Sequence, residues 1–104
     1  MVVLLICMDY TLEELRTLIA PIAEKYGVER VYLFGSRARE DNTPESDYDF
    51  CIVPDKGMSL IELSGFLLDL KESLDSEVDI VCEDSVDPEF LRSISEDRKV
   101  LYEV

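Results

Sequence analysis

Residues 31–53 read VYLFGSRAREDNTPESDYDFCIV, and they predict two strands joined by a short polar segment. Its first part, Val31 to Phe34, is rich in β-branched and aromatic residues, which predicts a buried strand that ends at Gly35. Its last part, Asp47 to Val53, alternates acidic and apolar residues and then becomes wholly apolar. That pattern predicts a second strand with one end at a solvated cleft. The polar residues between the two strands predict a short helix followed by a turn.

Two amphipathic helices are predicted on either side of this stretch, each beginning at a capping box. The first begins after Thr11 and runs to a stop at Gly27, with a kink or an interruption at Pro21. The second begins after Ser59 and reaches about Ser73. Both carry an apolar stripe at helical spacing, which is typical of helices that pack on a core.

The remainder of the chain predicts two more strands, at 77–82 and 100–104, with a helix between them. Asp87 is expected to cap that helix, with Pro88 at its first position. The predicted order is therefore α-β-α-β-α-β-α-β. This order favours an α/β (α+β) fold, in which a small mixed β-sheet is flanked by helices.

The length of 104 residues predicts one compact domain spanning 1–104. The apolar opening, Met1 to Cys7, is too short to span a bilayer and has no basic segment before it, so neither a membrane span nor a signal peptide is expected. It is interpreted as an extra edge strand or a loose tail. Since Met8 also begins what looks like a complete domain, an upstream start codon is a third interpretation.

The charge of the chain limits the kinds of molecule that are expected to bind it. Its formal net charge is −14. Attraction to a nucleic-acid backbone depends on clustered cations, so nucleic acid is a poor candidate partner. The same charge favours a basic partner protein or divalent cations, and with equal weight it is a device for solubility. Association with a second copy of the chain stays open.

Cysteine and histidine content limit the chemistry. The three cysteines are Cys7, Cys51 and Cys82, with no CxxC pair, and the chain has no histidine. A reducing cytoplasm is therefore the expected location, with Cys51 and Cys82 as small core residues. Without histidine, the Ser-His-Asp and Cys-His arrangements and histidine-containing zinc sites are excluded. Oxygen ligands remain as the plausible metal chemistry.

Gly35 and Ser36 lie where a buried strand meets a polar helix-forming segment. Glycine lets a phosphate approach the backbone closely, the serine hydroxyl adds a hydrogen bond, and the helix N-terminus adds partial positive charge. Arg37 and Arg39 place two cations beside this junction. A Gly-Ser turn after a strand is also common as a purely structural feature, and exposed arginines can simply balance an acidic surface.

Three acids form the second half of the candidate site. Asp47 and Asp49 are two apart on a strand, so their carboxylates point to one face. Asp79 interrupts an apolar strand where a core residue is expected, and would add a third carboxylate at a neighbouring strand end. Such a cluster is unfavourable unless cations hold it together, which favours Mg²⁺ or Mn²⁺, commonly as two ions. Taken singly, Asp47 could instead cap a loop and Asp79 could be a solvated edge-strand residue.

The full pattern resembles the DNA polymerase β-like nucleotidyltransferase superfamily. Gly35-Ser36 is followed after ten residues by Asp47-x-Asp49, and later by an acid on another strand. Residues 31–39 and 46–50 are similar to the minimal nucleotidyltransferases, including the MntA-type antitoxins that are paired with HEPN-domain toxins. The resemblance covers the chain from Met8 onward. One departure is Glu40, where a glycine often follows the two arginines.

The resemblance implies roles for the residues that match the motif. Gly35 and Ser36 would hold the triphosphate of ATP, and Arg37 and Arg39 could neutralise its charge. The metal ligands would be the three acids, Asp47, Asp49 and Asp79. Asp79 would also help to deprotonate the acceptor.

The resemblance further implies transfer of AMP from ATP to a partner protein, with a HEPN-type toxin as the partner and a tyrosine hydroxyl as the acceptor. From its length, the chain is expected to lack a second domain that could bind a small acceptor, so the acceptor is expected on another chain. Two alternatives stay open: a non-catalytic antitoxin that masks its partner, and small-molecule nucleotidyl transfer with a separate helical chain that supplies the acceptor pocket.

Overall fold

The computed structural model describes residues 10–43, 45–54 and 57–104. The N-terminal strand or tail expected at 1–7 lies outside the described residues, as does Pro44 of the expected turn. Within them, the elements follow the predicted order, with one added 3-10 turn at Glu83–Ser85. The helices are Leu12–Tyr26 (α1), Ser36–Arg39 (α2), Leu60–Leu74 (α3) and Pro88–Ser95 (α4). The strands are Arg30–Phe34 (β1), Tyr48–Val53 (β2), Val78–Cys82 (β3) and Lys99–Glu103 (β4).

Both long helices begin at the capping boxes that the sequence predicts. In α1 the Thr11 hydroxyl accepts from the Glu14 N–H at 3.1 Å, and the Glu14 carboxylate accepts from the Thr11 N–H at 2.8 Å. Gly27 ends α1 in the left-handed conformation, with φ of 72°. The expected interruption at Pro21 is wrong, because α1 continues through this residue. Proline removes one backbone donor, and the buried face of α1 supplies the packing that outweighs this loss.

The sheet is mixed, as predicted, with strand order β3-β2-β1-β4. β1 pairs antiparallel with β2 and with β4, while β2 and β3 pair in parallel. The parallel pair follows from the crossover through α3, because two parallel neighbours need a long connection. Tyr48 of β2 is in register with Val78 of β3, and Asp49 is in register with Asp79.

The two faces of the sheet are covered unequally. One face packs against α1 and α3 and forms the larger core, which includes Leu33, Tyr48 and Phe50 from the strands. We call this the α1/α3 face. The opposite face, called the α4 face, carries a smaller cluster of Phe34, Cys51 and other residues under Ile94 of α4. A single short helix leaves part of the α4 face open, and this is where the acidic side chains of β2 and β3 lie.

Cys51 is buried and Cys82 is partly buried, and both are free thiols, as expected of small core residues. In the described part of the chain, no helix is long and apolar enough to cross a membrane.

Candidate active site

The sheet register brings Asp49 and Asp79 together on the α4 face. Asp49 pairs with Phe34 across the β1–β2 ladder and with Asp79 across the β2–β3 ladder. Residues that are directly opposite in neighbouring strands point to the same face of the sheet. The two carboxylates therefore sit side by side, next to the end of β1 where Gly35 begins the turn into α2. Two segments that are distant in sequence meet at Asp49.

Gly35 fits this position because it has no side chain. Its backbone angles are φ 78° and ψ −158°, a region that is essentially restricted to glycine. A Cβ atom there would overlap the Oδ2 atom of Asp49 and would lie 3.3 Å from its Cγ atom. The glycine thus leaves the space that the Asp49 carboxylate occupies. The sequence motif names both residues, and the close approach between them becomes visible only in the structure.

The Asp49 carboxyl group is partly buried, and its surroundings disfavour negative charge. Burial raises its pKa most strongly, and the nearby charges of Asp79 and Asp47 raise it further. Arg39 acts in the opposite direction and lowers the same pKa. Asp49 is therefore the residue on which the charges of Asp79, Asp47 and Arg39 act together. A cation at this position would relieve the repulsion between the carboxylates.

Asp47 and Asp79 are exposed, in contrast to Asp49. The expectation that Asp79 replaces a core residue is wrong, because the α4 face is open at this edge of the sheet. Among the described residues, no group of three or more acidic or cysteine side chains is arranged closely enough to hold a metal ion as it stands. The donor set nevertheless suits a hard divalent cation, since it consists of carboxylates that repel one another around a partly buried one. The assignment of metal ligands remains a prediction.

Ser36 begins α2 and lies directly after the turn at Gly35, as the motif requires. With four residues, α2 is too short for a substantial helix dipole, so the helix charge expected at this junction is smaller than the sequence suggested. Glu40 ends α2 in the left-handed conformation, with φ of 64°. This conformation explains why glycine is favourable at that position.

The two arginines of α2 are placed differently. Arg39 is exposed and pairs with Asp41 at 3.0 Å, while its charge also acts on Asp49. Arg37 is partly buried, and its guanidinium carbon lies 4.0 Å from the centre of the Tyr48 ring. Its Nε and Nη2 groups donate to the Ser46 carbonyl at 3.1 and 2.9 Å. The sequence suggests one role for the two arginines, because their spacing does not reveal which residues each one contacts.

One cavity in the described part of the chain lies apart from the carboxylates. It has a volume of about 610 Å³ and lies beside the start of α1, where its lining includes Leu15, Leu33, Arg37 and Tyr48. None of the three acids of the motif is among the described residues that line it. Leu15, Leu33 and Tyr48 belong to the core on the α1/α3 face. The cavity and the carboxylates therefore belong to different faces of the sheet, and the candidate active site is the group of carboxylates on the α4 face.

Thiol chemistry is not supported at this site. Cys51 is two residues from Asp49, and burial raises the pKa of its thiol to about 11. Burial also raises the pKa of Cys82. Since the thiolate is the reactive form, both groups are inert at neutral pH.

Comparison with protein families gives one match that covers most of the chain. The family model described as polymerase beta, nucleotidyltransferase, matches residues 17–104. Among curated proteins, a candidate protein adenylyltransferase of Methanocaldococcus jannaschii, MJ0435, is 36% identical over 77 residues. The alignment covers 74% of this chain and 83% of the relative. A second candidate protein adenylyltransferase of the same organism, MJ0126, is 39% identical over 80 residues, which cover 73% of this chain and 79% of the relative.

Solved structures show the same fold. A candidate minimal nucleotidyltransferase superimposes with a TM-score of 0.75 at 28% identity, and the match covers 86% of this chain and 95% of that one. A toxin–antitoxin structure with AMP-PNP has a TM-score of 0.73 at 22% identity, over 86% of this chain and 73% of that one. The Shewanella oneidensis complex of a tri-AMPylated HEPN toxin with an MNT antitoxin has a TM-score of 0.69 at 20% identity, over 90% and 74% of the two chains. At identities this low, the last two comparisons support the fold alone.

Proposed function

The chain belongs to the polymerase β nucleotidyltransferase family, and from this premise we propose that it transfers AMP from ATP to a hydroxyl group of a partner protein. The acceptor oxygen forms a bond to the α-phosphorus of ATP, the bond between the α-phosphorus and the bridging oxygen breaks, and pyrophosphate leaves with that oxygen. The acceptor hydroxyl loses its proton. The observation that carries the proposal is the register of Asp49 with Asp79. The Asp49 carboxylate lies beside Gly35 and leaves no room for a side chain there.

Gly35 and Ser36 are proposed to hold the triphosphate. The backbone of Gly35 can approach a phosphate closely, and the Ser36 hydroxyl can donate a hydrogen bond. Arg39 is exposed near the carboxylates and supplies a cation for the phosphate charge. Its present ion pair with Asp41 is exposed, so it costs little to exchange for a phosphate oxygen.

Asp47, Asp49 and Asp79 are proposed to hold Mg²⁺, as one or two ions, with Mn²⁺ as a substitute. When bound, such ions neutralise phosphate charge and lower the pKa of an acceptor hydroxyl. Asp79 is exposed at the edge of the sheet, where an acceptor can reach it. Its carboxylate is proposed to receive the proton of the acceptor.

The partner is proposed to be a HEPN-type toxin, with a tyrosine hydroxyl as the acceptor. The relatives that are 36–39% identical are candidate protein adenylyltransferases, and the Shewanella oneidensis complex contains an AMPylated HEPN toxin. The net charge of −14 would speed the encounter with a basic partner. The free thiols Cys51 and Cys82 agree with a cytoplasmic location, which is also proposed.

A second candidate function is neutralisation of the toxin by masking alone. It is favoured by one observation, the absence among the described side chains of a three-acid group already arranged for a metal ion. Under this alternative, the fold would bind its partner while the carboxylates take no part. The two functions differ in whether phosphate from ATP becomes attached to the partner.

Label transfer from ATP tests the proposed reaction. Purified chain and partner are incubated with Mg²⁺ and with ATP labelled at either the α- or the γ-phosphate. AMP transfer predicts partner labelling from the α-phosphate and none from the γ-phosphate, and Asp49→Asn should abolish the labelling. Labelling from the γ-phosphate would indicate phosphoryl transfer instead. No labelling of a partner that is still neutralised would favour masking.

A further inference from the structure

Arg37 and Arg39 stand two residues apart in a motif that suggests one common role, yet their side chains contact different residues. Tyr48 belongs to the core on the α1/α3 face, and Arg37 lies over its ring. Asp49 follows Tyr48 in the strand, so its side chain points to the α4 face. Arg39 is the arginine whose charge lowers the pKa of Asp49.

We propose that Arg37 is a positioning residue, which fixes the segment that carries Asp47 and Asp49 from behind the sheet, and that it is not a phosphate ligand. This inference rests on the proposed function for its catalytic consequence. The role of Arg37 in holding the start of β2 can be tested without any reaction.

The contacts of Arg37 hold both neighbours of Asp47. Its Nε and Nη2 groups donate to the carbonyl of Ser46, at 3.1 and 2.9 Å, and its guanidinium carbon lies over the ring of Tyr48, 4.0 Å from the ring centre. Ser46 and Tyr48 immediately precede and follow Asp47 in the chain. A planar guanidinium can make the paired hydrogen bonds and the ring contact at once, whereas a lysine ammonium cannot.

Tyr48 is itself firmly packed, so it is a rigid support for the Arg37 side chain. Its ring is 1% exposed and stacks on Phe50 with ring centres 6.2 Å apart. The Tyr48 hydroxyl oxygen accepts from the Tyr10 N–H at 3.3 Å, and the Tyr48 N–H donates to the Glu77 carbonyl at 3.0 Å. Arg37 thus connects α2, which follows the Gly35-Ser36 turn, to the strand start that carries the acids. The Arg37 side chain is therefore one direct link between the phosphate turn and the segment that carries the carboxylates.

The kinetic test separates positioning from phosphate binding. Arg37→Lys keeps the charge but loses the paired hydrogen bonds and the planar stack, and Arg37→Gln loses the charge. Positioning predicts that both variants lower kcat by about 10- to 100-fold, since small displacements of reacting groups are costly, while KM for ATP changes by less than about threefold. Arg39→Gln should instead raise KM for ATP. Arg92→Lys, an exposed arginine on α4, is the matched control and should behave as the wild type.

A phosphate-binding role predicts the reverse for Arg37. In that case Arg37→Lys would retain nearly full activity and Arg37→Gln would raise KM for ATP. That result would overturn the proposal.

Amide hydrogen exchange provides a test that does not depend on catalysis. Positioning predicts that the Tyr48 amide exchanges at least about tenfold faster in Arg37→Lys than in the wild type, because the opening of the strand start becomes easier. Amides in the middle of α3 should be unchanged, which excludes general unfolding. If the wild type transfers no AMP, the proposed function fails while the exchange result still stands. If the Tyr48 amide is equally protected in both proteins, the positioning role is wrong whatever the activity.

Discussion

At the scale of single residues, Gly35 and Asp49 act as a pair. The carboxylate of Asp49 occupies the space into which a Cβ atom at position 35 would project. The glycine also holds a positive φ of 78° that other residues adopt only with strain. A side chain at this position would therefore cause both a clash with Asp49 and backbone strain, and the two effects can be measured separately.

We predict that Gly35→Ala displaces the Asp49 carboxylate. The free energy of unfolding should fall by roughly 1–3 kcal/mol, and AMP transfer should fall by at least about 100-fold. Chemical denaturation and steady-state kinetics measure the two effects.

Gly57→Ala is the matched control for backbone strain. Gly57 also has a positive φ, of 85°, and a Cβ atom there would have nothing within 4 Å. This variant should lose roughly 1 kcal/mol and keep its activity. Equal losses of activity in both variants would show that the clash with Asp49 is unimportant.

Asp49→Asn should stabilise the protein while abolishing transfer. The folded-state pKa of Asp49 is raised, so its charge costs stability at neutral pH. Removing that charge should raise the free energy of unfolding by on the order of 1 kcal/mol in low salt, and by less where salt screens the repulsion.

The pH dependence of this effect has a definite sign. As the pH falls from 7 through the folded pKa of Asp49, the wild-type carboxyl takes up its proton in the folded state first and the repulsion disappears. The stability curves of wild type and Asp49→Asn, followed by thermal denaturation, should therefore converge as the pH falls through the folded pKa of Asp49. A wild type that is more stable than the variant at pH 7 without divalent cations would contradict this account.

The residues of the site were predictable to different degrees. Gly35, Ser36, Asp47 and Asp49 form a motif whose spacing is visible in the chain. Asp79 was predicted as a third acid, and the structure places it beside Asp49, although on an open edge and not in a core position. The role of Arg37 was not predictable, because it depends on the face of the sheet to which Tyr48 points.

At the scale of elements, the capping boxes fixed the starts of α1 and α3 from sequence alone. Their local hydrogen bonds involve residues three apart, so no tertiary information is needed. The continuous course of α1 through Pro21 was not predictable, because it depends on packing against the sheet. The same holds for the register of β2 with β3, which results from the crossover and the core.

Ser59→Ala tests the contribution of a capping box to α3. The Ser59 hydroxyl accepts from the Glu62 N–H at 3.1 Å. Its loss should lower the free energy of unfolding by about 1 kcal/mol, as measured by urea denaturation.

Ser64→Ala provides the control on the same helix. Ser64 is exposed within α3, where alanine has the higher helix propensity, so this variant should be neutral or slightly stabilising. If both substitutions cost the same, the cap at Ser59 contributes nothing specific.

At the scale of the whole molecule, composition excluded more than it identified. The net charge of −14 argues against a nucleic-acid backbone as partner, but it suits both a basic partner and simple solubility. Because the chain has no histidine, oxygen atoms are the expected metal ligands, and the acids around Asp49 can provide them. The acceptor could not be derived in this way, because it belongs to another molecule.

We propose that this domain neutralises its partner by attaching AMP to it. The most direct measurement is the intact mass of the partner recovered from cells in which the chain has neutralised it. The account predicts an increase equal to one or more AMP groups with the wild type, and neither modification nor neutralisation with Asp49→Asn. Full neutralisation of a partner whose mass is unchanged would contradict it.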